Sequence, residues 1–525
     1  MTALPRSGFS TRATHRPAGL LALAIVAAGT ACPQALAQSS RDRGRTSAPP
    51  PRNAPAAPAP ASPASRDASN EPLTPPALRT EPVTIGSLGL SLYLPEDSSL
   101  STNRVAGGET KVAVKAPDNS WLIQVVSETS SSRNLSAGEV LDSILEQRSR
   151  WLAHQPIKPV VTDRVDNLVI GGLPAARAYF STPTDTATTV TGYTLVSLGG
   201  GQFVIFQMDC PPANLRQAKL TYETIVAASQ FRDPSEITAE RRDAVTAGAA
   251  FLAGLSTEDL EATFDAEPRF YRVFVPSPTN SISDDTEIGF QRVSIRRGQL
   301  GEVDPSKAKG NWGAPEREFG YLVQVDARTF IRDETLSVGS SADPIAVDSR
   351  AMYFLSRDRL RETWSIKNEV RQGKNLDRYA QTVVRSDDRL TARVEGRKAE
   401  PEVVDWSLPE AGYISRVELY MLPRLVSARN AAGLLGFYHY DPRISRIMLR
   451  RDEFTRTDTG WLRVSRSSED AAPETVQLDA KGNELRRSTD DGQVMEPITI
   501  EQLQKLWRQK GLPLTLDNAA SGRSR

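Results

Sequence analysis

From Phe270 onwards the apolar residues recur at every second position, and few features restrict a chain more than this. Successive side chains of a strand point to opposite faces, so a period of two reads as strand and excludes a helical bundle for this half. Residues 271–275, 288–295, 319–325, 352–355, 360–370 and 379–384 fit the pattern. So do 390–394, 413–422, 436–440, 444–449, 461–465 and 475–478. Turn residues separate them: Asp387-Asp388, Asp441-Pro442, Lys481-Gly482-Asn483 and Asp490-Asp491-Gly492. Many short strands at this spacing predict an antiparallel sheet curled into a barrel or half-barrel. A helical break is expected over residues 423–435. A last helix is expected with Thr499 and Gln502 as its cap, Leu503, Leu506 and Trp507 as its apolar face and Gly511 as its stop. A curled sheet has an open face, and this helix is its expected plug.

The earlier part of the chain is arranged around residues 193–208, YTLVSLGGGQFVIFQM. Two strands meet at Gly199-Gly200-Gly201, where glycine supplies the positive φ of a tight hairpin. Val196, Val204 and Phe206 make both faces apolar, so the hairpin belongs at the centre of a sheet covered on both sides. Residues 88–94 alternate up to Pro95 and read as a strand, as do 111–115, 121–126, 165–170 and 175–180. Ser136 and Glu139 form a capping box before a helix with Val140, Leu141, Ile144, Leu145 and Trp151 at helical spacing. Residues 214–230 carry Leu215, Ala218, Tyr222, Ile225 and Val226 on one helical face. This order predicts an α+β sandwich. Residues 235–264 read as a helical connector, with Ala244, Val245, Gly248, Phe251, Leu252 and Leu255 along one stripe.

The N-terminus reads as an address. Arg6, Arg12 and Arg16 precede the short apolar run GLLALAIVAA, and Ala35-Leu36-Ala37 fits a small-residue cleavage site, so residues 1–37 are expected to be a signal peptide. A retained N-terminal anchor, or a lipid anchor at Cys32, is the alternative. Cleavage leaves Cys210 alone, which excludes an internal disulfide and a Cys-rich metal site. Residues 38–82 are rich in Pro, Ala and Ser with few large apolar residues and read as a disordered linker. The formal net charge is zero, and loss of the three leader arginines makes it slightly acidic, which excludes an ordinary nucleic-acid protein. No stretch after the leader has the length of a membrane helix.

The strand LGLSLYLPED, the helix after LSAGE, the strand IGGLPAARAYF and the closing helix ending ASQF resemble the PsbP-like superfamily over residues 83–233. That resemblance implies a binding or assembly module without a shared catalytic set. The later succession AMYFLSRDRLRETWSIKNEV and RYAQTVVRSDDRLTARVEG is similar to LolA/LolB-like envelope half-barrels, over residues 270–515. It implies a lipid or acyl chain on a concave face.

Motif chemistry is sparse. After the leader the histidines are His154 and His439. His154 is expected to meet the last carbonyls of its helix. His439 and Asp441 share a strand face and form either a structural pair or a base with its orienter. There is no HExxH, Cys pair or EF-hand loop, and Asp284-Asp285 and Asp387-Asp388 read as solvated turns. The glycine triplet lacks the Lys and Ser/Thr of a phosphate loop. No catalytic residue, metal or cofactor is expected. Tyr353, Trp364, Tyr413, Tyr420, Tyr438 and Tyr440 are candidate ligand-binding residues, because amphipathic rings line clefts; an ordinary sheet core is the rival use.

The expected fold class is α+β. A sandwich with an antiparallel sheet (83–234) is followed by a helical connector (235–269), a β half-barrel-like domain with a terminal helix (270–515) and a disordered tail (516–525). The expected function is that of an exported, non-enzymatic envelope protein, periplasmic or secreted, which binds a protein partner or a lipid-like, apolar ligand through two folded domains. The alternatives are a secreted hydrolase with its site near His439 and Asp441, and a structural scaffold.

Overall fold

The computed structural model describes residues 73–101, 110–130, 134–152, 160–183, 188–279, 281–331, 345–373, 375–396, 400–442 and 444–512. The expected signal peptide, most of the linker, the tail and His154 lie outside the described residues. The described chain is strand-rich, with antiparallel sheets and few helices.

β1 (Val83–Ile85) and β2 (Leu90–Leu92) pair antiparallel. The expected strand over 88–94 is cut short, because a 3-10 turn over Gly86–Leu88 ends at Gly89 with φ 58, which an extended strand cannot contain. There follow β3 (Ser99–Ser101), β4 (Thr110–Lys115), β5 (Leu122–Thr129), α1 (Ala137–Leu152) and β6 (Val160–Ile170). β7 (Leu173–Pro183), β8 (Thr188–Gly199), β9 (Gln202–Cys210), α2 (Leu215–Ala228) and β10 (Gln230–Phe231) complete this part. One sheet has the order β3-β4-β5-β9-β8-β7-β6, and β10 joins β2 in a smaller one. The glycine hairpin β8–β9 is central, and Gly199, Gly200 and Gly201 all have positive φ. Its two faces go to two cores. Tyr193, Leu195, Phe203 and Ile205 pack on α1, and Val196, Val204, Phe206 and Met208 pack on α2. Ser136 and Glu139 form the expected capping box, with N–H to side-chain oxygen distances of 2.7 and 3.3 Å.

α3 (Pro234–Ala253) and α4 (Thr257–Glu261) lead into the larger sheet. Its first run is β11 (Arg269–Val275), β12 (Thr286–Gln299), β13 (Phe319–Ile331), β14 (Ile345–Ser356), β15 (Arg361–Gln372), β16 (Asn375–Ser386), β17 (Arg389–Glu395) and β18 (Glu402–Ser407). After α5 (Arg416–Arg429) come β19 (Gly433–Asp441), β20 (Arg446–Arg456), β21 (Gly460–Arg466), β22 (Glu474–Asp479), β23 (Glu484–Ser488), β24 (Val494–Ile498) and α6 (Ile500–Gln509). Each run is a meander, and β11 pairs with β24 to fuse them into fourteen strands with β18 and β19 at the edges.

The two edges come back together. Gln381 on β16 donates to the Tyr440 hydroxyl on β19 at 3.0 Å, and the Trp406 ring on β18 lies 5.4 Å from that of Tyr440. A flat sheet of fourteen strands spans about 60 Å, so these contacts require it to curl through nearly a full turn. Residues 412–414 run beside β19 through a parallel bridge from Tyr413 to Tyr438.

Three expectations give way to the structure. Residues 413–422 are not a strand: α5 starts at Arg416 and continues through Pro423 to Arg429. Ile414, Val417, Met421, Leu422, Leu425 and Val426 recur at helical spacing and enter the core with Tyr321, Trp364, Phe454 and Val476 from strands around the sheet. The plug is therefore α5. The terminal helix α6 packs on the opposite face, where Leu503, Leu506 and Trp507 meet Phe290 and Phe330. Asp285 differs too. It is buried and ion-paired with Arg272 at 2.8 Å, beside Glu287, instead of lying in a solvated turn.

Candidate functional site: a chamber beneath the inner helix

α5 is placed by its first turn. The Ser415 and Glu418 side chains satisfy each other's amides at 3.1 and 2.9 Å, a capping box. Glu362 on β15 accepts the Arg416 N–H at 2.6 Å and the Tyr413 hydroxyl at 2.9 Å, which pins the start of α5 to the sheet. Burial pushes the Glu362 carboxyl up to about 7, against the pull of those two donors.

A chamber of about 120 Å³ lies between α5 and the strands around β19–β24, β11 and β12. Arginine dominates it. Arg269 and Arg424 share Asp265 at 3.0 and 2.8 Å. Arg450 grips Asp452 through Nε and Nη2 at 2.6 and 2.9 Å, and Arg487 grips Glu484 at 2.9 and 2.7 Å. Arg463 reaches Asp452 only at 3.9 Å, and its buried Nε makes no hydrogen bond. Arg416 is 7% exposed and makes no ion pair among the described residues. Its Nε and Nη2 are buried without a hydrogen-bond partner, and its guanidinium carbon lies 5.8 Å from the Tyr353 ring centroid.

His439, 2% exposed, completes the wall. Its Nε2 is 2.8 Å from the Ser467 carbonyl, which can only accept, so the proton sits on Nε2 and Nδ1 carries a bare lone pair. Nδ1 has no partner. Burial lowers the imidazole to about 4, so the ring is neutral at neutral pH. Its Nε2 is committed to a backbone carbonyl, which leaves only Nδ1 for any proton relay.

The expected ring residues fall into two groups. Tyr353, Trp364, Tyr420 and Tyr440 form one chain of rings, with centroids 5.7 to 6.4 Å apart. Tyr353, Trp364 and Tyr440 are fully buried in the core, while Tyr420 also borders the chamber. Tyr413 and Tyr438 meet at the bridge beside α5. The arginines were missed, although parity marks them. Arg463 shares the buried face of Trp461 and Ser465, and Arg450 that of Asp452 and Phe454. No helix among the described residues is long and apolar enough to cross a membrane.

The fold and chamber together define a strand-rich α+β protein with an arginine-lined interior cavity. No family model and no curated protein matches the sequence. Among solved structures the chain is similar to cyanobacterial PsbP (CyanoP) from Synechocystis sp. PCC 6803, at 10% identity and TM-score 0.25, over 32% of this chain and 99% of that one. It is similar to a beta-barrel-like protein with a domain of unknown function from Brucella abortus, at 10% identity and TM-score 0.29, over 44% and 93%. It is similar also to LpqN, involved in cell envelope biogenesis of Mycobacterium tuberculosis, at 14% identity and TM-score 0.22, over 29% and 90%. These likenesses stand beside the PsbP-like and envelope half-barrel resemblances of the sequence. Nothing about ligand or activity follows from them.

Proposed function

We propose that this protein is an exported, non-enzymatic binding protein of the bacterial envelope, whose half-barrel-like sheet holds a small ligand in the chamber beneath α5. One observation carries the reading. Arg416, Arg463 and His439 line one cavity, and Nε and Nη2 of Arg416, Nε of Arg463 and Nδ1 of His439 are buried without a hydrogen-bond partner. Buried polar groups are almost always hydrogen-bonded, and an unpaired buried charge is worse still. A bound ligand supplies the partners. Export rests on the leader-like residues 1–37. An acyl chain fits this reading poorly, because α5 already fills the apolar interior of the curl.

The test is native mass spectrometry of the mature protein, purified gently from its own envelope. A stoichiometric small-molecule adduct is expected, and Arg416→Met is expected to lose it. An adduct unchanged in that variant would place the ligand elsewhere. A protein partner is a second reading, favoured by the edge strand β6, which exposes Val160, Val161, Val165 and Val169 along a ladder unpaired among the described residues. Cross-links in the envelope that map to β6 would support it.

A further inference from the structure

Taking the chamber beneath α5 as a binding site, on which this rests, we infer that its ligand is a small oxyanion carrying its own hydrogen-bond donor, of the kind of hydrogen phosphate or a 2-hydroxy acid. The charges set the sign. Arg269, Arg416, Arg424, Arg450, Arg463 and Arg487 line the chamber. Against them stand Asp441, Glu474 and Glu484 in its wall, with Asp265 and Asp452 paired behind it. His439 is neutral, so one cation is in excess.

The excess has an address. The Nε–Nη2 edge of a guanidinium matches the two oxygens of a carboxylate or phosphate. Arg241 uses that edge on Glu469 at 2.7 and 2.9 Å, and Arg450 uses it on Asp452. In Arg416 the same two atoms are the ones without partners. A water or a neutral amide would satisfy the hydrogen bonds and leave the charge unpaired. The Nδ1 lone pair of His439 asks for the reverse, a donor on the ligand, which an unsubstituted carboxylate lacks. The chamber has room for about four water-sized volumes, which suits a ligand of a few heavy atoms.

The experiment is thermal unfolding and calorimetric titration of the mature chain in low-chloride buffer with inorganic phosphate, lactate, propionate and vesicles containing phosphatidylglycerol. Phosphate and lactate are expected to raise the midpoint by about 5 °C at a hundredfold excess over Kd. Propionate is expected to bind at least about tenfold more weakly than lactate, for want of one hydrogen bond. Equal binding of the two would overturn the donor requirement, and no response to any of the three anions would overturn the inference. Vesicle binding that Arg416→Met abolishes would assign the same chemistry to a lipid headgroup. In that variant the anion response should vanish while the unliganded midpoint holds or rises, because a buried unpaired charge has gone. A lower midpoint with the anion response kept would make Arg416 purely structural and sink the idea. The wild-type titrations decide even if the variant does not fold. A neutral adduct in the native spectrum without an anion response would end this inference and leave the binding reading standing; an empty protein without a response would end both.

Discussion

Glu362 is wholly buried on β15, facing Tyr413, the Arg416 N–H, Arg385 and Glu418, and it titrates near neutrality at about 7. Its ordinary value is 4.5, so the folded chain holds this proton more tightly than the unfolded chain. Stability from this group is complete below about 4.5 and is lost as pH rises through 7, by up to about 3 kcal/mol. His439 acts in the opposite sense: with its value lowered from 6.5 to about 4, stability is lost as pH falls through that range. Glu362→Gln should therefore remove the loss above pH 5 and leave only a gain with rising pH, read from denaturant midpoints between pH 4.5 and 8. An unchanged profile would show that Glu362 stays ionised. Gly482 is a second sensitive residue. Its φ is +78, and an added Cβ would lie 2.3 Å from the Pro423 carbonyl oxygen of α5. Gly482→Ala should lower stability by about 1–3 kcal/mol, measured by chemical denaturation. At this scale the sequence was legible where a residue type implied its use, as at the Gly199–Gly201 turn. Arg416 was opaque because its burial depends on partners far along the chain, and Asp285 because its neighbours Ser281, Ser283 and Asp284 read as a solvated turn although its carboxylate pairs with Arg272 across the β11–β12 hairpin.

The helices show how far local signals reach. Residues 413–422, YISRVELYML, carry an alternating set and a helical set of apolar positions at once, so period alone does not choose between them. The deciding signal is Ser415 and Glu418, a capping box that the alternation around it hid. Ser415→Ala should destabilise by about 1–2 kcal/mol and loosen the Arg416 N–H bond to Glu362, visible as faster amide exchange in the first turn of α5. Full protection of those amides would show that Glu362 suffices. The box at Thr499 and Gln502 was equally visible and located α6. Which face of the sheet that helix covers depends on the direction of curl, which no local pattern records. β24 was missed because Pro497 lies within it, opposite Tyr271 of β11, where a strand reading is ordinarily demoted.

The two sheets are coupled through α3 and one turn. Gly248 lies so close to β19 that an added Cβ would be 2.1 Å from the Gly436 carbonyl oxygen. Arg241 grips Glu469, and Asp470 accepts from the Ser87 N–H and hydroxyl at 2.8 and 3.0 Å. Gly248→Leu should prise α3 from β19 and split calorimetric unfolding into two transitions; a single transition with an unchanged midpoint would show that the contact does not couple the parts. The order of elements was readable from alternation and turn residues, and this coupling was not, because Gly436, Glu469 and Asp470 lie roughly two hundred residues or more from their partners. The curl itself has a further meaning. Thirteen neighbouring strand pairs are joined by backbone ladders, while the ring closes on β19 through Gln381 of β16 and Trp406 of β18, both at Tyr440, and through the short bridge at residues 412–414. The ring thus has a clasp made of a few side chains and two backbone hydrogen bonds, from Ile414 N–H to the Tyr438 carbonyl and from Tyr438 N–H to the Gly412 carbonyl, so undoing it breaks fewer backbone hydrogen bonds than parting most of the ladders around the ring. β19 is one jaw of that clasp and also carries His439, so the container and its fastening are parts of the same strand.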